Sequence, residues 1–319
     1  MTMEKHWFYA ELLSYSILLE VSGYPKPGNV HRTRNLPGLV FEDFLYTGVA
    51  SVKWFKKGII RGLRGYSRIV FGDIIYGIVH DTISYRGVNT CLGSSLLLAP
   101  ISIGIGKCLG KQVEDIKCYI EEALNALKKT TVYDSIYFYR AVRLAKPSYI
   151  RKTDDTGEYV NVWDRCFRSK LIARNQRLHD ILKYSASRDI VADEVVNGYP
   201  RSLDGKMFFQ ARINAHKDWN RGVVETYLYL LSKYKDTTIT RTHGEKIAAE
   251  IVVRARKTLN TVLEKRNNWM NQVEDLDVYL RKQNINPGSI ADIVVSTIAL
   301  ILLDKNLSYT IKHDKQLLK

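Results

Sequence analysis

The chain has 319 residues and a formal net charge of +15, from 48 Lys and Arg against 33 Asp and Glu. With 45% hydrophobic and 25% charged residues, 20 Gly and 7 Pro, its composition is that of a globular protein and excludes a disordered, collagen-like or low-complexity chain. The basic residues are spread along the chain and form no arm, tail or zinc-finger motif, so a solvated basic surface is favoured over nucleic-acid binding.

Helical periodicity dominates the sequence. Val113–Lys129 repeats apolar residues every three or four positions, and Thr242-x-x-Glu245 forms a capping-box pattern before a second periodic segment, His243–Lys265. Weaker periodicity predicts helices at Glu4–Val21, Phe41–Lys57, Ile69–Tyr85, Ser135–Leu144, Asp164–Tyr184, Val223–Tyr234, Leu276–Gln283 and Ile290–Asp304. Because alternating strand patterns are scarce, we expect an all-α protein, a single bundle-like domain over residues 1–319 with functional loops between its helices.

Two apolar stretches, Ser94–Ile105 and Ile290–Leu303, are shorter than the roughly 18 residues that a membrane-spanning helix needs, so we expect them in the core. The N-terminal segment carries Glu4, Glu11 and Glu20 and lacks a small-residue cleavage site, which argues against a secretory signal. No C-x-x-C pair or closely spaced His accompanies the four cysteines, and neither a zinc site nor a disulfide framework is predicted. A reducing cytoplasm fits this pattern.

The first candidate functional segment joins Glu20 to the loop Pro25-Lys26-Pro27-Gly28-Asn29-Val30-His31. Glu20 lies on the apolar face of its predicted helix, three residues after Ile17, so it must be paired, bound to a metal or protonated. An ion pair with a neighbouring helix explains it as well as a functional role does. The two prolines and Gly28 would hold Lys26 and the following amides in a stiff shape suited to phosphate, although no Walker A motif is present.

Three further loops are rich in polar and turn-forming residues. In Gly87–Gly93, Asn89 and Thr90 either cap the following helix or bind a ligand. In Lys235–Gly244, Asp236 and Arg241 stand beside a predicted helix N-terminus, which suits an anion as well as a polar helix connection. In Asn286–Asp292, Ser289 and Asp292 resemble a capping pair, but Asp292 shares a face with apolar residues and is a candidate inward carboxylate.

Taken in order, these segments resemble the triphosphoribosyl-dephospho-CoA synthase family, which makes the prosthetic-group precursor of citrate lyase and malonate decarboxylase. The resemblance covers most of the chain. The segments that carry it are Glu20-Val21 with Pro25-Lys26-Pro27-Gly28, Gly87-Val88-Asn89-Thr90 with Gly93, Arg188-Asp189-Ile190 with Glu194 and Asn197-Gly198-Tyr199, Asp236-Thr237 with Arg241 and Gly244, and Asn286-Pro287-Gly288-Ser289 with Ala291-Asp292.

The resemblance implies a cytoplasmic all-α enzyme that uses ATP and Mg²⁺. In the family reaction the ribose hydroxyl of 3′-dephospho-CoA attacks the anomeric carbon of ATP, displaces adenine and receives the triphosphoribosyl group. Because such a displacement passes through an oxocarbenium-like state, carboxylates should stabilise charge and accept the proton. The candidates for these catalytic roles, and for ligands of Mg²⁺, are Glu20, Asp236 and Asp292. The candidates for phosphate and nucleotide binding are Lys26, Gly28, Asn29, His31, Asn89, Thr90, Arg241 and Ser289.

The chain departs from the family at two motifs. Lyase-associated members continue the first motif as P-K-P-G-L-V-D, where this chain has Asn29 and His31, and their N-T-H-K-G motif has Cys91 and Leu92 at the His and Lys positions. These departures are typical of an outlying branch of the family, such as an archaeal one, and leave the acceptor open. We expect the protein to assemble as a homodimer.

Two other functions remain as alternatives. The chain could be a nucleotide transferase or hydrolase with another acceptor, in which case adenine would appear without dephospho-CoA. It could instead be a non-catalytic scaffold that binds nucleic acid, with salt-sensitive binding and no adenine release.

Overall fold

The computed structural model describes residues 2–264 and 268–304. These residues are 72% helical and contain no strand, which confirms the all-α prediction. The helices are α1 (Thr2–Ser22), α2 (Phe41–Arg64), α3 (Gly72–Arg86), α4 (Leu92–Gly110), α5 (Ile116–Lys128), α6 (Val132–Ala145), α7 (Phe167–Ala173), α8 (Leu178–Ser185), α9 (Ile190–Val196), α10 (Pro200–His216), α11 (Trp219–Lys233), α12 (Thr237–His243), α13 (Glu245–Glu264), α14 (Trp269–Lys282) and α15 (Gly288–Leu303).

The chain divides into two compact units. Unit 1 comprises Met1–Tyr15 and Tyr46–Tyr199, and unit 2 comprises Ser16–Leu45 and Pro200–Lys319. Helices α1 and α2 each contribute residues to both units, and the third boundary, between Tyr199 and Pro200, lies at the start of α10. The single domain expected from the sequence stays a prediction.

Unit 1 is built around two helix pairs, α3 with α6 and α4 with α5. Helix α4 is buried along most of its length because nearly all of its side chains are apolar or small. It is the one described helix that is long and apolar enough to cross a membrane, but 83% of its apolar window lies inside the structure, as in a core helix. At the start of α6, Asp134 accepts hydrogen bonds from the Val70, Phe71 and Gly72 amides and anchors the segment before α3.

A disulfide between Cys108 of α4 and Cys118 of α5 corrects the expectation of a chain without disulfides. The two cysteines are ten residues apart in sequence, and the packing of α5 against α4 brings their Cα atoms to 6.2 Å. Spacing alone did not reveal this pairing, since it depends on how two helices pack. The other two cysteines, Cys91 and Cys166, form no disulfide.

Unit 2 packs α10–α15 around α11 and α15. Helix α11 contacts α10, α13 and α15, while α12 and α14 pack against α13. Buried Glu225 of α11 pairs with Arg212, His216 and Arg221 and so ties α10 to α11. Burial raises the pKa of Glu225, but hydrogen bonds from His216, Arg212 and Arg221 outweigh burial and lower it to about 2.

Several predicted helix boundaries are wrong, each for a local reason. The predicted helix Asp164–Tyr184 is interrupted between α7 and α8, where Asn175 adopts a positive φ of 47°. The predicted capping box at Thr242 is absent because Thr242 lies inside α12, which ends at His243 and is followed by Gly244 with a φ of 89°. Helix α5 begins at Ile116 rather than Val113 because Asp115 caps it by accepting from the Cys118 amide.

Candidate functional site

The centre of the candidate site in unit 2 is a buried ion pair between Glu20 and Lys26. Glu20 lies near the end of α1, and Lys26 follows in the Pro-Gly loop. The Lys26 Nζ donates to a Glu20 carboxylate oxygen and to the Glu20 carbonyl oxygen, the latter at 3.1 Å. Lys26 is fully buried and Glu20 is 3% exposed, so the structure places both in the interior. Direct contact of Lys26 with phosphate therefore stays a prediction.

The two groups perturb each other electrostatically. Burial raises the pKa of Glu20, and the charge and hydrogen bond of Lys26 oppose this. Burial lowers the pKa of Lys26, opposed by Glu20 and by the negative charge of Asp292. Since burial brings both pKa values towards neutrality, this pair can exchange a proton more readily than two exposed groups. Asp292, in the first turns of α15, is half-buried.

The loop after Lys26 is held by Asp277 and Arg281 of α14. Asp277 is fully buried, and its Oδ1 accepts from the Gly28 amide at 2.8 Å. Its carboxylate also pairs with Arg281 through Nε at 2.7 and 2.8 Å. Arg281 then donates to the carbonyl oxygens of Asn29 and Asn35, at 2.7 and 2.8 Å. One carboxylate and one guanidinium therefore fix the backbone on either side of His31.

Gly28 is required by this packing. Its φ is +71°, and a Cβ at this position would lie 2.5 Å from the carbonyl oxygen of Ile285. On the preceding residue, the Tyr227 hydroxyl donates to the Pro27 carbonyl at 2.8 Å. The predicted stiffness of the loop thus has a tertiary cause, because α11, α14 and the segment before α15 all contact it.

His31 is buried among charged groups. It is 1% exposed, its Nδ1 lies 3.1 Å from the Thr33 hydroxyl, and its Nε2 lies 3.9 Å from Asp277 Oδ2 and has no hydrogen-bond partner. Burial lowers its pKa, and Asp277 opposes this while Lys26 and Arg281 reinforce it. Asn29 is also buried, at 5% exposure.

Asp236 joins two helix N-termini in unit 2. Its Oδ1 accepts from the Ile239 amide of α12 at 3.0 Å, and its Oδ2 accepts from the Ile290 amide of α15 at 2.7 Å. Ser289 Oγ lies 3.0 Å from the hydroxyls of both Thr237 and Thr238, so it links α15 to α12. The N-cap of α15 is Pro287, and a capping pair of Ser289 with Asp292 stays a prediction.

Arg241 is not at the helix N-terminus where the sequence suggested an anion site, because it belongs to the last turn of α12.

Asn89 and Thr90 belong to unit 1. Asn89 Oδ1 accepts from the Cys91 and Leu92 amides at 3.2 and 3.1 Å, so it satisfies the start of α4. Thr90 shares a hydroxyl–hydroxyl hydrogen bond with Thr47. The capping alternative for Asn89 is thus confirmed, and nucleotide binding by this turn stays a prediction.

The three carboxylates assigned to Mg²⁺ do not fit a metal cage of protein ligands. Over residues 2–264 and 268–304, no group of three or more His, Cys, Asp or Glu side chains could hold a metal ion. Glu20 is occupied by Lys26, and both oxygens of Asp236 accept from amides. We therefore derive no step through a metal ion bound by these three residues.

The sequence predicts the loop as part of the site but does not reveal Asp277 and Arg281, which hold it. Within unit 2, the structure brings Glu20 together with Lys26, and the charge of Asp292 acts on Lys26. Gly28, Asn29 and His31 lie around Asp277 and Arg281. A signal for Asp277 was available, since it lies four residues after Val273 and three before Leu280 on the apolar face of its helix.

Comparison with known proteins identifies the family. The family model for CitG, ATP:dephospho-CoA triphosphoribosyl transferase, matches residues 6–311. A solved structure from Archaeoglobus fulgidus, described as a candidate triphosphoribosyl-dephospho-CoA synthase, superposes with a TM-score of 0.62 at 24% identity, over 82% of this chain and 99% of that one. This likeness shows a shared fold. No curated protein sequence matches the chain. On the family model, the chain belongs to the ATP:dephospho-CoA triphosphoribosyl transferase family.

Proposed function

We propose that the chain transfers the triphosphoribosyl group of ATP to 3′-dephospho-CoA at the cluster formed by Glu20, Lys26 and Asp292. The reaction is that of the family, and the cluster is the proposal. The observation that carries it is the buried Glu20–Lys26 pair, in which the charge of Asp292 acts on Lys26. A nucleotide transferase or hydrolase with a different acceptor and a non-catalytic nucleic-acid-binding scaffold are not favoured by the family match.

Each member of the cluster has a separate role. In the reaction, a bond forms between the ribose hydroxyl oxygen of dephospho-CoA and C1′ of ATP, while the bond from C1′ to adenine breaks and adenine leaves with the electron pair. Asp292 is the half-buried member, so we assign it to stabilise positive charge on the sugar. Glu20 accepts the hydroxyl proton, directly or through Asp292, because burial raises its pKa towards neutrality. The leaving adenine takes up a proton from solvent and Glu20 returns the accepted proton to solvent, which balances the step and regenerates the carboxylate.

Lys26 keeps the cluster from repelling its substrate. Two carboxylates beside a triphosphate would be unfavourable, and the Lys26 ammonium offsets one of these charges. We assign Asp236 and Ser289 as residues that position Asp292. Their hydrogen bonds hold the N-terminus of α15, the helix that carries Asp292.

Adenine release tests the proposal. The chain is incubated with ATP, with and without 3′-dephospho-CoA, and adenine and the triphosphoribosyl adduct are quantified by chromatography with mass detection. We expect both products only with dephospho-CoA, and a loss of at least about a hundredfold in kcat for Glu20→Gln and Asp292→Asn. Asp275→Asn, an exposed carboxylate on α14, is the matched control. Near-normal turnover of both folded cluster variants would remove the cluster from the chemistry.

Three further expectations accompany this function. A requirement for Mg²⁺, brought by the triphosphate, is tested by titrating Mg²⁺ into the same assay. Cytoplasmic location follows from the use of ATP and dephospho-CoA, and the disulfide would then be of the kind that intracellular proteins of hyperthermophilic archaea contain. Sedimentation analysis tests the homodimer.

A further inference from the structure

We propose that Asp277 and Arg281 are positioning residues for the reaction, acting through the loop that carries Lys26. This inference rests on the proposed function only for its kinetic consequence. Neither residue belongs to a motif that carries the family resemblance. The two residues are one helical turn apart on α14, and their side chains form an ion pair. We call Asp277 and Arg281, with their hydrogen bonds to the loop, the clamp.

The clamp is more than one structural ion pair, because its hydrogen bonds reach four points of the loop. Asp277 accepts one hydrogen bond from the Gly28 amide and another, at 3.0 Å, from the guanidinium of Arg34. Arg281 donates to the carbonyl oxygens of Asn29 and Asn35. These contacts begin two residues after Lys26, so displacement of the backbone at Gly28 moves the prolines and the ammonium that Glu20 binds.

The electrostatics of the clamp keep Asp277 ionised. Burial raises its pKa, but His31, Arg281 and the Gly28 amide outweigh burial and hold the pKa below its usual value. A charged carboxylate accepts stronger hydrogen bonds than a neutral amide, and it alone can pair with both arginines. Asparagine at position 277 would keep the shape of the side chain and lose this charge.

The backbone carbonyls of Asn29 and Asn35 are held by Arg281, while the Asn35 side chain accepts from the Phe41 amide at 2.9 Å. Among the described contacts, Arg281 supplies the side-chain donors to these two carbonyls, while the Pro27 carbonyl is held separately by Tyr227. Loss of the clamp should therefore loosen residues 28–35 and leave the helices of unit 2 in place.

The first test is hydrogen exchange followed by mass spectrometry on the full chain. In Asp277→Asn, we expect amides of residues 28–35 to exchange about tenfold faster or more, with helical peptides of unit 2 unchanged. Asp275→Asn, the same substitution on the exposed side of α14, should exchange like the unaltered protein. Faster exchange throughout unit 2, or no change at 28–35, would overturn the proposal.

The second test separates positioning from stability. Arg281→Lys keeps a cation beside Asp277 but cannot bind both carbonyls, so it provides a milder variant if Asp277→Asn does not fold. At a temperature where each variant is fully folded, we expect Arg281→Lys to raise KM for ATP about fivefold to tenfold and to retain more activity than Arg281→Ala. Unaltered KM and kcat in a folded Arg281→Ala protein would show that the clamp does not act on the reaction. If the unaltered chain releases no adenine, the proposed function fails, and the exchange experiment still decides whether the clamp orders the loop.

Discussion

At the residue scale, the Glu20–Lys26 pair makes a prediction about stability that does not depend on activity. Replacement of Lys26 by Met keeps most of the volume but leaves a carboxylate at 3% exposure without its cation. Breaking a buried ion pair on one side costs about 3–5 kcal/mol, whereas replacement of both partners costs much less. We therefore expect Lys26→Met to lower the free energy of unfolding by about 3 kcal/mol or more, and the Glu20→Gln/Lys26→Met double variant to recover part of this loss.

Urea unfolding of the single and double variants measures this coupling. The matched control is Lys53→Met with Asp81→Asn, an ion pair in which Lys53 is largely exposed and for which we expect a coupling below about 1 kcal/mol. Strict additivity of the Glu20 and Lys26 substitutions would contradict the pairing.

His31 predicts a dependence of stability on pH. Burial lowers its pKa in the folded protein below the value of about 6.5 in the unfolded chain. The unfolded state therefore binds a proton first as the pH falls, so the free energy of unfolding decreases from about pH 6.5 down to the folded pKa and is unaffected above this range. Each unit by which the pKa of His31 is lowered on folding corresponds to a loss of about 1.4 kcal/mol in the free energy of unfolding at acidic pH. The groups facing the imidazole are Asp277, Lys26 and Arg281.

Thermal unfolding between pH 7.5 and 5.0 tests the role of His31. We expect His31→Gln to show a smaller decrease in Tm than the unaltered protein, and His243→Gln, at an exposed position on α12, to follow the unaltered protein. Parallel curves for His31→Gln and the unaltered protein would assign the acid sensitivity to other groups.

The residues that the sequence could reveal are those whose local pattern was unusual. Glu20 stood out because a carboxylate on an apolar helical face needs a partner, and the structure supplies Lys26. The sequence does not identify this partner, because its identity depends on how the loop folds back on α1. Asp277 had the same signal, but its role as an acceptor for Gly28, 249 positions away in sequence, is determined only by tertiary packing.

At the element scale, Asp236 should stabilise two helices at once. It caps α12 through the Ile239 amide and satisfies the Ile290 amide at the start of α15. Since one helix cap contributes about 1 kcal/mol, Asp236→Ala should lower the free energy of unfolding by about 2 kcal/mol or more. Asp115→Ala, which removes the exposed single cap of α5, should cost about half as much in the same urea experiment. Equal losses of unfolding free energy in Asp236→Ala and Asp115→Ala would show that the hydrogen bond from the Ile290 amide to Asp236 contributes nothing.

Helix existence followed from the sequence more reliably than helix boundaries did. The periodic segments near 116–128 and 245–264 are helices, because their apolar faces pack on neighbours whatever the exact end. The short helices α9 and α12 were not predicted, since seven residues carry too little periodicity and depend on Asp189 and Asp236 as caps. Helix α10 was missed because charged and apolar residues alternate irregularly along it.

At the scale of the whole molecule, the Cys108–Cys118 disulfide is expected to contribute to thermal stability. It closes a loop of about ten residues, and cross-linking such a loop stabilises a protein by about 2–3 kcal/mol. Reduction should therefore lower the free energy of unfolding by this amount, and Cys108→Ser/Cys118→Ser should do the same without reductant. Alkylation of the unfolded, unreduced chain should label the two cysteines outside the disulfide, Cys91 and Cys166. Cys166→Ser, which removes an exposed free thiol, should keep the full response to reductant. Labelling of all four cysteines in protein isolated under an inert atmosphere would contradict the disulfide. An equal free energy of unfolding with and without reductant would show that the disulfide does not stabilise the packing of α4 against α5.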